Sequence, residues 1–263
     1  MPPEKELLLH SNITDMKKII IFFTAIAIAF SAQNASSQVL FDTGRPAKLI
    51  QLGVRMGFNS SNLSTNYDDI TPGLVWNHTQ WKNGFNAGFV ADINFTNFFA
   101  IQPGIFFKSR NNDYHYLVRN EGNLTAIEGN WGGKYFEIPI LASLRLGVAE
   151  LAQLQVDFGP YFATGFGGKV KSTVFVSNPD SYLDNSTPSY QSKGDYFGDK
   201  GLVKRYDWGL KMGVGFLLMQ HYYIGAHYSA GCRNVLQEIV TEAGTWEANG
   251  KNKMWSFTLG YNF

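Results

Sequence analysis

The sequence predicts an all-β fold in which eight antiparallel strands close into a barrel. Three observations lead to this prediction. Apolar and polar residues alternate with a period of two in eight separate segments. The links between these segments are alternately long and short, which is typical of an up-and-down barrel with an even number of strands. The apolar face is too bulky for the inside of a barrel of this size.

The eight alternating segments are each about ten residues long, which suits strands that cross a membrane. In the last segment Trp255 and Phe257 share one face, whereas Ser256 and Thr258 share the other. In chain order the segments are residues 51–59, 84–95, 98–108, 134–146, 151–162, 207–218, 222–230 and 254–263. The four long polar links are residues 60–83, 109–133, 167–206 and 231–253.

Side-chain size separates a membrane barrel from a soluble one. A soluble β-sandwich or a lipocalin-like barrel has the same alternation, with its apolar face turned inward. Here that face carries Phe, Trp, Leu and Ile, while the opposite face is rich in Gly, Ser, Asn and Gln. We therefore expect the bulky face to contact lipid, in an eight-stranded antiparallel transmembrane β-barrel with long extracellular loops and short periplasmic turns.

Aromatic residues at the strand ends predict two girdles at the membrane interfaces. Trp208 and Trp255 lie on the long-link side, whereas Phe95, Phe99 and Tyr222 lie on the short-turn side. Tyr261 and Phe263 belong to the same side, and a strand that ends on aromatic residues is predicted to act as a C-terminal signal for the outer-membrane assembly machinery.

Three prolines do not fit a closed barrel well. Pro103, Pro139 and Pro160 fall inside predicted strands, and each lacks the N–H that a central strand donates to its neighbour. The alternation keeps its phase across all three, so simple bulges are not expected.

The N-terminus predicts a signal peptide over residues 1–37. Lys17 and Lys18 precede the apolar run Ile19 to Phe30 and the small polar stretch SAQNASSQ. Cleavage after Ala35 or Ser37 fits small-residue preferences. Met16 is an alternative start that would make residues 1–15 an over-called extension. Residues 38–48 would then form a short periplasmic segment, followed by the barrel, 49–263.

The overall charge argues against nucleic-acid binding. The chain has 22 basic and 21 acidic residues, so the total charge predicts neither a nucleic-acid site nor a strongly anionic membrane partner. The single cysteine, Cys232, allows no intramolecular disulfide. Export without disulfides fits a bacterial envelope.

Seven charged residues fall on the predicted inward face. Such charges must be paired in a narrow interior, and neighbouring strands carry opposite signs: Arg55 beside the strand of Asp92, Glu137 and Arg145 beside that of Asp157, and Asp157 beside that of Lys211. The full set is Arg55, Asp92, Lys108, Glu137, Arg145, Asp157 and Lys211. We expect them to neutralise one another and plug the barrel; a proton or small-ion path is the alternative.

Several of these segments resemble the PorT-type outer-membrane β-barrel proteins of Bacteroidetes. The likeness covers about residues 49–263, and its most specific pieces are the QPG, YFEIP and GPY stretches in this order. The resemblance implies an eight-stranded barrel in the outer membrane. The namesake of the family is linked to a machinery that secretes proteins, which implies protein partners in a secretion system.

No catalytic, cofactor or metal site is predicted. Asp68, Asp69, His78, Asp113 and His115 could meet above the barrel as a protease-like or metal site, but their spacing is not that of metal ligands and ordinary solvated loop residues explain them better. Two non-enzymatic functions remain. One is a secretion-associated or scaffolding barrel. The other is a surface adhesion or ligand-binding barrel.

The adhesion alternative rests on the link from Gly167 to Tyr206. It carries four aromatic residues that could contact ligands: Tyr182, Tyr190, Tyr196 and Phe197.

Overall fold

The structure is a computed structural model that describes residues 42–66, 74–120, 123–148, 151–177, 190–198, 201–237, 239–241, 244–246 and 249–263. The predicted signal peptide, its cleavage sites and the alternative start at Met16 lie outside these residues. The described residues belong to one compact unit, Leu40–Phe263. No helix in this part of the chain is long and apolar enough to cross a membrane.

The secondary structure of the described residues is all β. The strands are β1 (Ile50–Asn66), β2 (Leu74–Asn94), β3 (Phe99–Asn120), β4 (Asn123–Val148), β5 (Ala152–Ser177), β6 (Tyr190–Asp195), β7 (Tyr206–Leu218), β8 (Tyr222–Gly231), β9 (Ile239–Thr241), β10 (Gly244–Trp246) and β11 (Asn249–Asn262).

Eight of these strands form a closed antiparallel ring. The order is β1, β2, β3, β4, β5, β7, β8 and β11, and β11 pairs with β1 from Gly53↔Asn262 to Asn66↔Asn249. Strand β6 pairs with the upper part of β5, and β9 and β10 form a separate small hairpin. The predicted fold class is confirmed, and each of the eight alternating segments contributes one strand to the ring.

The apolar face points outward, as the side-chain sizes predict. Phe58 is 74 % exposed and Phe89 is 70 % exposed, whereas the neighbouring Arg55 is only 3 % exposed. A protein with this distribution exposes large apolar groups around its whole circumference and buries polar groups inside. The soluble sandwich and lipocalin-like alternatives, which need the opposite arrangement, are therefore wrong.

The strands extend into segments that the sequence predicts to be long polar links. Strand β3 runs to Asn120 and β4 starts at Asn123, so most of the predicted link 109–133 is paired strand. Backbone pairing continues beyond the apolar band. There Asn111, Asn112 and Asp113 are polar, whereas Tyr114 and Trp131 pack inside the barrel. Hydropathy alternation ends at that point and cannot follow the strand further.

The short link between β7 and β8 is a tight turn. Met219 and Gln220 have φ values of 51° and 61°, and His221 N–H donates to the Leu218 carbonyl at 3.0 Å. Two consecutive left-handed residues are the requirement of a type I′ turn, whose twist matches that of an antiparallel hairpin.

The prolines interrupt the ladder without shifting it. Between β3 and β4 the pairing stops after Pro103↔Ile140 and resumes at Phe106↔Glu137 in the same register, passing over Pro139. Between β4 and β5 a similar gap spans Pro160. The missing N–H therefore costs local hydrogen bonds, and the register shifts lie elsewhere, as the unbroken alternation predicts.

Candidate functional site: the barrel interior

All seven charged residues of the predicted interior set lie inside the barrel and are buried. The structure adds Arg110, Asp207 and His227 to them. The polar groups form three layers between the long-link end and the short-turn end, and an aromatic layer covers them at the long-link end.

Glu137 on β4 is the centre of the upper polar layer. Its carboxylate lies 2.7 Å from Lys108 Nζ, 2.9 Å from Arg110 Nη2 and 3.7 Å from Lys211 Nζ. Arg110 also contacts Asp207 at 2.5 Å, so this guanidinium crosses the lumen from β3 to β7. Two carboxylates thus face three cations in a water-poor space, where removal of one partner is costly.

Asp157 on β5 organises the middle layer. It accepts hydrogen bonds from Ser143 Oγ at 2.5 Å and Gln155 Nε2 at 2.8 Å, and His227 Nε2 on β8 lies 2.9 Å from its second oxygen. A serine, a histidine and an aspartate are also the residue types of a catalytic triad, but their arrangement here is different. They are sealed inside the barrel, and Ser143 contacts the carboxylate rather than the imidazole.

Asp92 on β2 organises the lower layer near the short turns. Arg145 Nη2 lies 2.7 Å from one of its oxygens, Asn262 Nδ2 donates to the same oxygen at 3.1 Å, and Gln102 Nε2 donates to the other at 2.5 Å. Arg145 also donates to Asn94 Oδ1 at 2.8 Å. Four strands are cross-linked through this one carboxylate and its partners.

Arg55 is held by an aromatic ring. Its guanidinium lies 4.2 Å from the centroid of the Tyr223 ring, and no carboxylate of the described residues lies within ion-pair distance of it. Tyr223 in turn lies close against two glycines, because a Cβ on Gly215 would come within 2.6 Å of the ring and one on Gly225 would collide with its hydroxyl end. The inward glycines therefore make room for large side chains.

The strand register does not bring every pair of opposite charges on neighbouring strands together. Arg55 is level with Gly88, so Asp92 lies four residues away along β2, or about 13 Å. Asp157 is level with Ser143 and Gly213, and not with Arg145 or Lys211. The ion pairs follow the register of the strands and the reach of long side chains across the lumen, and neither can be read from strand order alone.

Arg110, Asp207 and His227 were missed for different reasons. Arg110 lies beyond residue 108, where the alternation of apolar and polar residues in the third segment ends. Asp207 and His227 do lie on the polar faces of their segments. Their position on the polar face of an alternating segment is the sequence signal for them.

An aromatic cap closes the long-link end of the interior. Tyr196 and Phe197 follow β6 and turn inward, where Phe197 packs edge-on against Tyr135 with centroids 5.2 Å apart. Val203 bridges Phe197 to Leu236 through isolated β-bridges. The buried apolar cluster that includes this cap is Leu63, Tyr114, Trp131, Tyr135, Tyr161, Ala163, Val170, Tyr196, Phe197, Val203, Val235 and Leu236.

The cap weakens the adhesion prediction. Of the four aromatic residues expected to contact ligands, Tyr196 and Phe197 are buried and Tyr190 is exposed, while Tyr182 lies outside the described residues. Burial raises the pKa of the Tyr196 hydroxyl to about 12, so it stays protonated at neutral pH. These buried rings stabilise the barrel and are not available to a ligand.

The interior has little free space. A void of about 10 Å³ is lined by Arg55, Lys108, Lys211 and His227 among others, which is close to the space that one water molecule needs. A second void, about 40 Å³, lies at the short-turn end beside Lys48 and Arg145.

The geometry of the described loop residues does not support the protease-like or metal site considered for the outer loops. Asp113 pairs with Lys82 at 2.6 Å and His115 lies 3.5 Å from Glu128, while Asp68 and Asp69 lie outside the described residues. Within the ranges that the structure describes, no group of three or more His, Cys, Asp or Glu residues could hold a metal ion. Cys232 is exposed directly after β8.

The residues of the predicted girdles lie on the outer face. Trp208 lies near the long-link end of β7, and Phe95, Phe99 and Tyr222 are at the short-turn end. Trp255, expected at the long-link end, lies in the middle of β11 because this strand begins at Asn249. A further outward cluster of Phe85, Phe107, Phe136 and Phe166 lies on β2 to β5. At the C-terminus, Tyr261 and Phe263 rings are 5.5 Å apart.

Comparison with known families gives one match. The sequence model of the outer membrane protein beta-barrel domain, OMP_b-brl_2, matches residues 31–237. No protein with a curated description matches the chain.

Three of the solved structures that are similar to this chain are described by their identity, coverage and TM-score. OprG from Pseudomonas aeruginosa is 13 % identical with a TM-score of 0.42, and the match covers 84 % of this chain and 99 % of OprG. Ail of Yersinia pestis, solved with the heparin analogue sucrose octasulfate, is 15 % identical with a TM-score of 0.36, covering 82 % and 100 %. Neisserial surface protein A is 10 % identical with a TM-score of 0.35, covering 81 % and 97 %.

Proposed function

Because the chain belongs to the outer-membrane β-barrel family whose domain model it matches, we propose that it is a non-enzymatic, non-conducting scaffold that holds a partner protein at the cell surface. Its place in the outer membrane follows from the family and from the apolar outer face of the ring. The partner and the scaffolding role are the proposal.

The observation that carries the proposal is the combination of a filled lumen with a long paired extension above it. The interior is crossed by ion pairs and covered by the aromatic cap, which leaves no wide path for a solute. Strands β3 and β4 stay paired to Asn120↔Asn123, well beyond the outward Phe107 and Phe136. Such a hairpin offers a partner an ordered surface and costs little entropy on binding.

The resemblance to the PorT type supports a secretion system as the source of that partner. The alternative, adhesion through the outer loops, is supported by the exposed Tyr190 at the start of β6. It is weakened by the burial of Tyr196 and Phe197.

A shortened hairpin tests the proposal. Replacing residues 116–127 by Asn-Gly joins the cross-strand pair His115 and Glu128 by a two-residue turn and leaves the lower ladder intact. The measurements are cross-linking of intact cells and the amount of exported protein. We expect a strain that carries this variant to lose both the cross-link to the partner protein and protein export, as a strain without the protein would. The variant barrel should still shift in gel mobility on heating.

Two results would count against it. Normal export together with lost surface attachment would support adhesion in place of secretion. An unchanged set of cross-linked proteins and unchanged export in the shortened variant would overturn the role of the hairpin.

A further inference from the structure

We propose that a groove on the outer face of β3, β4 and β5 binds the phosphate groups of a phosphorylated glycolipid in the outer leaflet of the membrane. We call it the lysine groove. It is lined by Lys134, Lys169 and Lys171 and by Asn111 of β3, and its floor is formed by Gly132 and Gly167. A fourth lysine, Lys193 of β6, flanks the groove beside Lys171.

The lysines share one face of the sheet. Lys134 is exposed on β4, and Lys169 and Lys171 are exposed on β5. Lys193 on β6 lies directly opposite Lys171. Like charges directly opposite each other on neighbouring strands are destabilising, so the barrel alone gives no reason to place these two together, whereas an anion between them does.

The lysines have few counter-charges. Among the described residues, none of the four lies within ion-pair distance of a carboxylate, although Asp195 is opposite Lys169 in the register. The nearby Asp113 is occupied by Lys82 at 2.6 Å. The groove therefore keeps a local excess of positive charge, which the near-zero charge of the whole chain conceals.

Glycines create the space beside the lysines. Gly167 is opposite Lys134, and Gly132 is opposite Lys169; a Cβ on Gly167 would have no atom within 4 Å. Two adjoining cavities follow this floor. One of about 180 Å³ is lined by Lys82, Lys169 and Lys171 among others, and one of about 360 Å³ by Lys134 and Lys169 among others.

The height of the groove identifies the ligand as a lipid headgroup. Lys134 lies two residues beyond Phe136 on β4, or about 7 Å along the strand. Phe136 is stacked on Phe166 with centroids 4.7 Å apart, and both rings face outward in the apolar band. An amphiphile with its phosphates on the lysines would lay its acyl chains over these rings.

The opposite side of the barrel offers a matched control. On β11, Lys253 lies two residues beyond Trp255 and Lys251 lies four residues beyond it, at a comparable distance above the girdle. Four ring positions separate β11 from β4. The residues opposite Lys251 and Lys253 on β1 are Ser64 and Asn62, which carry side chains where glycines lie opposite Lys134 and Lys169.

The test is a binding titration of the detergent-solubilised barrel, followed by native mass spectrometry. The probes are bisphosphorylated lipid A, the same lipid without phosphates, and inorganic phosphate in large excess as a competitor. We expect the variant Lys134→Gln, Lys169→Gln, Lys171→Gln to bind phosphorylated lipid A at least about tenfold more weakly than the unmodified protein. The control Lys251→Gln, Lys253→Gln should bind within about twofold of it.

Each opposite result overturns the proposal. An equal loss of affinity in the triple variant and the control would indicate that lysines all around the barrel bind the lipid without a specific site. Equal binding of the lipid without phosphates would show that the groove does not recognise phosphate groups. Displacement by inorganic phosphate would indicate a free-anion site. Heat-dependent gel mobility checks that each variant is folded, and Lys134→Gln alone, with an intermediate loss expected, replaces a triple variant that does not fold.

Discussion

Charged residues of this barrel differ in how much they contribute to its stability. Glu137 is fully buried and contacts Lys108, Arg110 and Lys211, so its carboxylate offsets three buried cations. Lys82 and Asp113 form a pair that is about one-third exposed on each side. Burial, more than the number of ion pairs, decides the energetic consequence.

Replacing Glu137 by Ala is expected to lower the free energy of unfolding by about 3–5 kcal/mol, because it leaves buried cations without a counter-charge. The measurement is urea unfolding in detergent micelles or bilayers, followed by gel mobility. Lys82→Ala is the control and should change the free energy by less than about 1 kcal/mol. Equal stabilities of the two variants would show that water screens the interior.

Gly215 tests the close packing of Tyr223. A Cβ at this position would come within 2.6 Å of the ring, so Gly215→Ala should cost about 1–3 kcal/mol by overpacking. Gly167→Ala, on the open outer face, is the matched control and should be close to neutral. The unfolding midpoints of both variants check this. A Gly215 variant as stable as the control would mean that the ring moves freely.

At the scale of elements, the last strand closes the ring. β11 pairs with both β1 and β8, and Phe263 N–H donates to the Leu52 carbonyl at 2.8 Å. The chain end is thus part of the seam, and its aromatic residues face lipid. Closure requires that this strand arrive in the correct register.

Replacing Tyr261 and Phe263 by Ser is expected to lower the amount of barrel inserted in the outer membrane, because the terminal aromatics are proposed to be read during assembly. Quantification of the heat-shifted species in membrane fractions measures this. Phe257→Ser, an outward residue in the middle of the same strand, is the comparison. Yields that fall equally in both variants would indicate loss of lipid contact only.

The cap is a second element with a distinct role. Phe197→Ala removes a ring that packs on Tyr135 and Tyr196, so local opening of the cap should become easier by about 3–5 kcal/mol. Limited proteolysis of intact cells should then cleave the segment after β6 faster. Tyr190→Ala, at an exposed position, should leave the cleavage rate unchanged, and equal rates in the two variants would contradict a packed cap.

The strands could be predicted and the cap could not, for physical reasons. A strand with one face in lipid imposes a period of two on its sequence, so β1, β7 and β11 are visible residue by residue. The buried residues of the cap include Val203, Val235 and Leu236. They lie in irregular segments, where buried residues do not recur at a regular spacing in the sequence. The ion pairs of Asp92 and Glu137 depend on strand register and on side chains that cross the lumen. The pattern of charged residues therefore predicts that these carboxylates are paired, but it does not identify their partners.

At the scale of the whole molecule, the protein is inverted relative to a soluble barrel. Its outside is apolar, its inside is ionic, and its long-link end is closed by aromatic residues. Closure of the ring satisfies the backbone hydrogen bonds that lipid cannot satisfy. The same closure leaves an interior too narrow for both a complete charge network and an open channel.

Planar-bilayer recording of the unmodified, reconstituted protein tests this account most directly. A lumen filled by the Glu137, Asp157 and Asp92 layers should give no steady single-channel conductance, and samples should first be shown to shift in gel mobility on heating. Glu137→Ala should lower the unfolding midpoint while the bilayer stays silent below it. Steady, reproducible conductance steps from the unmodified barrel would contradict the plugged interior and would support an ion path along the buried charges.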